Sequence, residues 1–397
     1  MAGRAVVLGA ALLVVAGIAG PSWAQDKETI AAAVLRIDIH PRPLPISRLD
    51  LPPEDLGFAG GRLATADNNT TGSFMGQHFE TAEVAAPPEQ ALDALEALIA
   101  DGAQFVVTMA DADTTLALAD AAGDGVLILN ATAPDDRLRG TDCRANLLHL
   151  APSRAMLTDA LAQFLMVKRW DEWFLIEGSH PADTALAESY KRSATKFGAR
   201  IVEDRVFEDT GGARRTDSGY IQIQSQIPVF TQRAPEHDVV LAADESDVFA
   251  SHLPYHTWDP RPVVGSAGLT PTTWHPASEA WGGTQLQTRF EALAQRFMRP
   301  EDYNVWMALR AIGEAATRTA STDPVVLRDY VLGPDFTLAA FKGQPVTFRD
   351  WDGQLRQPIL LAADNVVVSA SPQDEYVHQF SPLDTLGIDR PESECRR

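Results

Sequence analysis

Oxygen-bearing side chains follow two short apolar runs within residues 101–140, DGAQFVVTMADADTTLALADAAGDGVLILNATAPDDRLRG. The first run leads into Asp111, Asp113, Thr114 and Thr115, the second into Asn130, Thr132, Asp135 and Asp136. Carboxylates, amides and hydroxyls grouped this way bind a polar solute, or a hard cation that takes six or more oxygens. If the apolar runs are neighbouring strands of a parallel sheet, their loops share the edge where open α/β folds keep their ligand crevice. The candidate site therefore lies at residues 109–115 and 130–136.

Turnover chemistry has no comparable signature. The chain carries no G-x-S-x-G elbow, no H-E-x-x-H, no G-x-x-x-x-G-K-[ST] and no G-x-G-x-x-G after a strand. Carboxylate pairs perform acid–base work only beside a group to act on, and no nucleophile is marked out. The reading is a binder rather than an enzyme, with no cofactor. A compact D-x-D-x-D-G calcium loop is absent too, so a cation site would need distant loops to converge.

The elements that position these loops alternate strand and helix. Strands are expected at residues 30–37, 79–84, 105–108 and 126–129, with helices at 56–68 and 88–100. A proline-rich loop covers 40–53, and the polar, glycine-bearing 68–72 stretch reads as a helix end. The pattern then repeats with a helix at 153–168, a strand at 173–176, a helix at 184–197 closed by Gly198, and strands at 199–206, 239–242 and 263–265. Residues 218–226 fit a helix or a strand, and 279–319 supply two helices, the second spanning 303–317. Two such arrays imply an α/β protein of two doubly wound, Rossmann-like lobes joined by a hinge, with ligand in the cleft between strand ends.

Arg4, an apolar run over residues 5–20 and Ser22-Trp23-Ala24 have the order of a cleaved secretory signal, placing the mature protein outside the cytoplasm. The remainder is long enough for two domains. A formal charge of −21 repels phosphate backbones and argues against a nucleic-acid partner, and solubility alone accounts for it. Cys143 and Cys395 lack metal-ligand or CxxC spacing; in an oxidising compartment they form a disulfide from the C-terminal tail to the first lobe, or remain two buried thiols.

Five segments in this order resemble the type I periplasmic solute-binding proteins of ABC transporters, the branched-chain amino-acid-binding group. They are GFAGGRLATADNNTTGSFMG at 57–76, the loops within 105–136, FLIEGSHPADTALAESY at 174–190, YNVWMALRAIGEA at 303–315 and PVTFRDWDGQLRQPILLAA at 345–363. Within the group, NNTTG at 68–72 and HQFSPLDTLGIDRPESEC at 378–395 are most similar to the branch associated with alcohol dehydrogenases that use pyrroloquinoline quinone. The resemblance implies a periplasmic location, a small-solute ligand, an ABC permease as partner, a monomer, and a role beside oxidation of small alcohols. It implies a first lobe at 25–152, a second at 153–280, a return at 281–338, a late second-lobe hairpin at 339–370 and a tail at 371–397. Hinges are expected near 151–152, 281–283 and 336–341.

The resemblance also places ligand contacts. In the first lobe they are Asp111, Asp113, Thr114, Asn130 and Thr132; in the second, His180, Asp183, Asp244, Glu245 and Ser266. Carboxylates stand where an amino acid's own carboxylate would sit, which disfavours a zwitterion. Calcium or a lanthanide is the alternative ligand, and helix capping is the alternative role for Asp111, Asp113, Asp183 and Asp244. Tyr255, Trp258, Trp274 and Trp281, with His256 and His275, wall an apolar pocket or pack the core.

Overall fold

The computed structural model describes residues 28–38, 51–209 and 223–397. The expected leader at 1–24, most of the proline-rich loop and residues 218–222 lie outside them. The first lobe is built on β1 (Glu28–Ile37), whose Ala33, Val34 and Leu35 are fully buried because helices cover both faces of the sheet. Beside it run β2 (Gln77–Ala86), β3 (Phe105–Met109), β4 (Leu127–Asn130) and β5 (Leu147–His149), parallel in the order β2-β1-β3-β4-β5. The crossovers are α1 (Phe58–Met75), α2 (Ala91–Ala100) and α3 (Ala112–Ala122).

Helix α1 runs through the 68–72 stretch instead of stopping there, and ends at left-handed Gly76 (φ 72°). Its polar residues have tertiary partners that override their turn preference. Asn68 is buried and donates to Leu309 O (2.9 Å), while Asn69 donates to Phe79 O (2.9 Å) and accepts from Phe79 N (2.8 Å). Gly72 lets the Phe79 ring lie against the helix, where a Cβ would stand 2.9 Å from it.

The second lobe comprises α4 (Arg154–Val167), β6 (Glu172–Gly178), α5 (Pro181–Phe197), β7 (Arg200–Phe207), α6 (Ile223–Phe230), β8 (Val239–Ala243) and β9 (Val263–Gly265). Its four strands are parallel in the order β7-β6-β8-β9. Thus the described part of the ambiguous 218–226 stretch is helical. The chain continues through β10 (Thr270–Thr272), α7 (Gly283–Ala294), α8 (Pro300–Thr319) and α9 (Pro324–Leu332). It ends with the pairs β11 (Thr347–Phe348) with β12 (Leu355–Arg356) and β13 (Ile359–Ala363) with β14 (Val366–Ser371).

Side-chain packing shows where the backbone changes lobes. Leu150 belongs to the first core and Met156 to the second; Leu269 packs on the second and Trp274 in the first; Leu355 is in the first and Ile359 in the second. The second crossing therefore precedes the expected 281–283, because Trp274 already stacks on Tyr303 of α8 at 4.8 Å. The third follows the expected 336–341, because Phe336, Leu338 and Ala340 stay in the first core. The 339–370 segment expected in the second lobe is divided, with Val346 and Leu355 on the first lobe and Ile359 and Leu361 on the second. Cys143 and Cys395 form a disulfide with their Cα atoms 5.7 Å apart, joining the tail to the first lobe.

In the first lobe α1 packs closely against α8. A Cβ on Gly60 would stand 2.0 Å from Asp302 O, a backbone atom with nowhere to retreat. Gly60→Ala is expected to destabilise the fold by about 1–3 kcal/mol through overpacking, although helix propensity alone predicts a gain approaching about 1 kcal/mol. The urea midpoint of the variant measures which effect prevails.

Candidate functional site

Between the lobes lies a cavity of about 360 Å³. The loop after β4 supplies Ala131, Thr132 and Pro134, and the first crossing supplies Ala151 and Pro152. The second lobe adds Arg154 and Leu157 from α4, Leu186 and Tyr190 from α5, Glu245 after β8, and Gly265 and Ser266 at the end of β9. The second crossing contributes residues 270–273, and the first turn of α8 contributes Pro300, Glu301 and Asn304. The surface this wall presents is mostly apolar.

Its full charges are Arg154, Glu245 and Glu301. Arg154 holds Glu245 in a two-pronged pair, Nε to Oε2 at 2.7 Å and Nη2 to Oε1 at 2.6 Å. Its remaining nitrogen lies 3.2 Å from Asp135 Oδ2, so one guanidinium joins a second-lobe carboxylate to a first-lobe one. Although burial alone would lower the Arg154 pKa, these carboxylates raise it above its ordinary value. Burial pushes the Glu301 carboxyl upward and favours its neutral form, and Glu301 Oε2 has no partner within the protein. Two further wall residues carry orphaned buried oxygens: Asn304 Oδ1, whose Nδ2 donates to Ala131 O (2.9 Å), and Thr273 Oγ1. Buried polar atoms without partners are uncommon, and three of the ten found among the described residues surround this one cavity.

Of the ten candidates raised by the sequence, Thr132, Glu245 and Ser266 line this cavity. The other seven lie outside its wall: six engage backbone or neighbouring side chains, and Thr114 gives its backbone N–H to Asp111. Asp111 caps α3 by accepting from Thr114 N (2.7 Å), and Asp113 pairs with Arg137 at the surface. Asn130 is fully buried; its Oδ1 accepts from Thr132 N (3.1 Å) and Ala133 N (2.9 Å), fixing the loop that forms one wall. His180 stands before α5 with Nε2 2.9 Å from Asp209 Oδ2. Buried Asp183 accepts from His180 N (3.2 Å) and Ser246 N (2.8 Å). Asp244 accepts from Val248 N (2.8 Å), Phe249 N (2.6 Å) and Ala250 N (2.7 Å). These acidic loops do not converge on a cation: among the described residues no group of three or more His, Cys, Asp or Glu is placed to hold a metal ion.

The sequence left out Arg154, Tyr190, Thr273, Glu301 and Asn304, which come from elements far apart in the chain. One signal was available, since Glu301 and Asn304 put polar groups one turn apart in the otherwise buried start of α8. The aromatic segment divides. Trp274 is core, stacked on Tyr303 and donating to Gln287 Oε1 (3.1 Å), whereas Trp258 and Trp281 are exposed. Tyr255, His256, Trp274 and His275 line a broader outer groove of about 990 Å³, which meets the cavity at Ser266, Thr270, Thr272 and Pro300.

Two buried cations organise the crossings. Arg139 donates to Ala133 O (2.9 Å), Asp135 O (3.0 Å), Ala151 O (2.7 Å) and Gln354 Oε1 (2.8 Å), with burial lowering its pKa to about 10. Lys342 donates to Thr273 O on the second crossing and to Pro358 O (3.0 Å) on the third, with its ammonium 5.2 Å from the Tyr303 ring centre. Burial pushes Lys342 down to about 7, and a neutral amine still has N–H groups for both carbonyls.

Residues 57–215 match the family model described as periplasmic binding protein. No curated protein matches the chain. Solved structures similar over most of their length include a branched-chain amino acid ABC transporter periplasmic ligand-binding protein from Burkholderia xenovorans. It is 15% identical with TM-score 0.66, covering 86% of this chain and 95% of that one. A branched-chain amino acid transporter substrate-binding protein from Streptococcus pneumoniae, in complex with isoleucine, is 14% identical with TM-score 0.62, covering 86% and 99%. A solute-binding protein of an ABC transporter from R. palustris, in complex with benzoate, is 13% identical with TM-score 0.64, covering 93% and 100%. The expected architecture is the one found: two doubly wound α/β lobes in the type I periplasmic-binding-protein fold.

The Lys342 environment generates a pH dependence. Between about 7 and its ordinary 10.5 the unfolded chain binds a proton that the folded chain does not, so stability rises with pH across that window. The slope from this group is at most about 1.4 kcal/mol per pH unit. Urea midpoints measured through this range are expected to climb in the parent protein and to climb less steeply in Lys342→Met.

Proposed function

We propose that this chain is the solute-binding component of an ABC transporter, working as a monomer in the periplasm and capturing a small molecule between its lobes. The observation that carries the reading is the cavity itself. Both lobes and two of the three crossings furnish its wall, and its volume of about 360 Å³ suits a small organic solute. Such a site is complete only when the lobes are together. Solute meeting one lobe and the other closing over it is the hinge motion that this architecture allows.

The fold neighbours support the transport reading, since two of them are described as bound to isoleucine and to benzoate, molecules of the size this cavity admits. Among the described residues no helix is long and apolar enough to cross a membrane, in keeping with a partner permease supplying the passage. Capture without chemistry on the solute is the role assigned, in line with the transporter binding proteins that share this fold. The finer setting, beside quinone-dependent oxidation of small alcohols, rests on the likeness at 68–72 and 378–395. With the carboxylates of the acidic loops engaged by backbone and arginine, a cation is not proposed as cargo.

Leu157→Trp, which fills the cavity from α4, tests the assignment. Native mass spectrometry of the protein as purified is expected to show a bound small molecule that the variant lacks, and added solute to bind the variant at least about tenfold more weakly. Equal retention by both proteins, or conversion of the captured molecule to a product, would overturn it.

A further inference from the structure

The backbone N–H groups around the cleft are those that would receive an anionic ligand, because the first turns of helices leave their donors unpaired and carry partial positive charge. In this protein several of them are already met from within. At α3, Thr114 N is taken by Asp111; at α5, His180 N is taken by Asp183, which also takes Ser246 N; after β8, the run Val248, Phe249 and Ala250 is taken by Asp244. At α4, Ala155 N goes to Asp136 Oδ1 (3.2 Å) and Met156 N to Ser153 Oγ (3.3 Å), and at α8 Arg299 N goes to Asp302 Oδ2 (3.0 Å). A carboxylate entering the cleft finds no such seat free among these.

The side-chain charges are arranged to the same effect. The cationic side chain in the wall is Arg154, which serves Glu245 through two nitrogens and Asp135 through the third. One positive charge between two negative ones leaves this group of three charges net negative, which disfavours a further anion. The fully buried wall atoms left unpaired are two acceptor oxygens, Asn304 Oδ1 and Glu301 Oε2 at the start of α8, and the Thr273 hydroxyl on the second crossing, which can accept or donate. Asn304 and Thr273 are each more than nine-tenths buried.

We propose that the cavity rejects carboxylates and takes a small solute with an apolar body whose polar end, a hydroxyl or an amine, donates hydrogen bonds to the Glu301–Asn304 turn and to Thr273. The inference rests on the solute-binding reading above and narrows it. The aliphatic residues Leu157, Leu186, Pro134 and Pro271 enclose the apolar body. The raised Glu301 carboxyl supports the assignment, since its neutral form needs no counter-charge and its ionised form accepts an ammonium.

Four probes sharing one branched aliphatic body and differing at the polar end test this: isoamyl alcohol, isoamylamine, isovalerate and leucine. Calorimetry and thermal shift at neutral pH are expected to give binding of the alcohol or the amine at least about tenfold tighter than of isovalerate or leucine. The pH dependence identifies which: amine affinity rises as Glu301 ionises, whereas alcohol affinity does not. Thr273→Val is expected to weaken the bound probe several-fold without lowering Tm, because the hydroxyl it removes has no protein partner. Asn304→Leu is expected to weaken it further.

Isovalerate or leucine binding as tightly as the alcohol and the amine, with Leu157→Trp abolishing it, would overturn the solute class and leave the solute-binding reading standing. Unchanged probe affinity in both Thr273→Val and Asn304→Leu would overturn the assigned contacts. Absence of any response to all four probes, together with no retained molecule in the purified protein, would remove the solute-binding reading itself.

Discussion

Carboxylates turned inward onto backbone N–H groups are the constraint on which the cleft depends. Loops after parallel strands leave rows of amide donors at the mouth of the crevice, and burying them unpaired costs on the order of 1–3 kcal/mol each. Asp183, Asp244 and Asp302 are buried yet each accepts from at least two backbone amides, which repays much of the cost of desolvating their own charge. Room is made for them at specific positions. A Cβ on Gly178 would stand 2.3 Å from Asp183 Oδ2, so the end of β6 is bare where that carboxylate folds back.

The same economy of donors explains how the crossings keep their shape. Three extended connections would expose backbone carbonyls at the hinge, and Arg139, Lys342 and Gln354 collect them. Gln354 donates to His149 O (3.2 Å) and Ala151 O (3.1 Å) while accepting from Arg139. His149 sits fully buried nearby, with Asn130 Nδ2 donating to its Nδ1 (3.1 Å), and burial holds its pKa well below the ordinary value, so it is neutral in this setting. Polar side chains thus bind the hinge together without adding exposed charge to the cavity.

Strand and helix order were legible in the sequence because buried parallel strands are short apolar runs, FVVTM and LILN among them, and because helix ends such as Gly198 carry a left-handed glycine. The cavity between the lobes was legible as a place, through Thr132, Glu245 and Ser266, and much less as a set of lining residues. An aspartate at the start of a helix looks the same in sequence whether it caps the helix or holds a ligand, and Asp111, Asp183 and Asp244 took the first course. Arg154, Tyr190 and Glu301 belong to the wall only because two lobes face each other, a relation with no local trace. The helix end read at 68–72 failed for a similar reason: Asn68 and Asn69 find their partners on α8 and β2.

The C-terminal tail is attached at both ends of the molecule's jaw. Asp384 pairs with Arg349 (3.0 Å) and Arg356 (2.8 Å), Gly387 N donates to Asp159 of the second lobe (2.8 Å), and Cys395 is bonded to Cys143 of the first. Together with the main chain this makes a covalent ring threading through both halves, in addition to the three crossings. The tail thus runs as a strap from the second lobe at Gly387 to the first at Cys395, and an oxidising surrounding keeps its covalent end fastened.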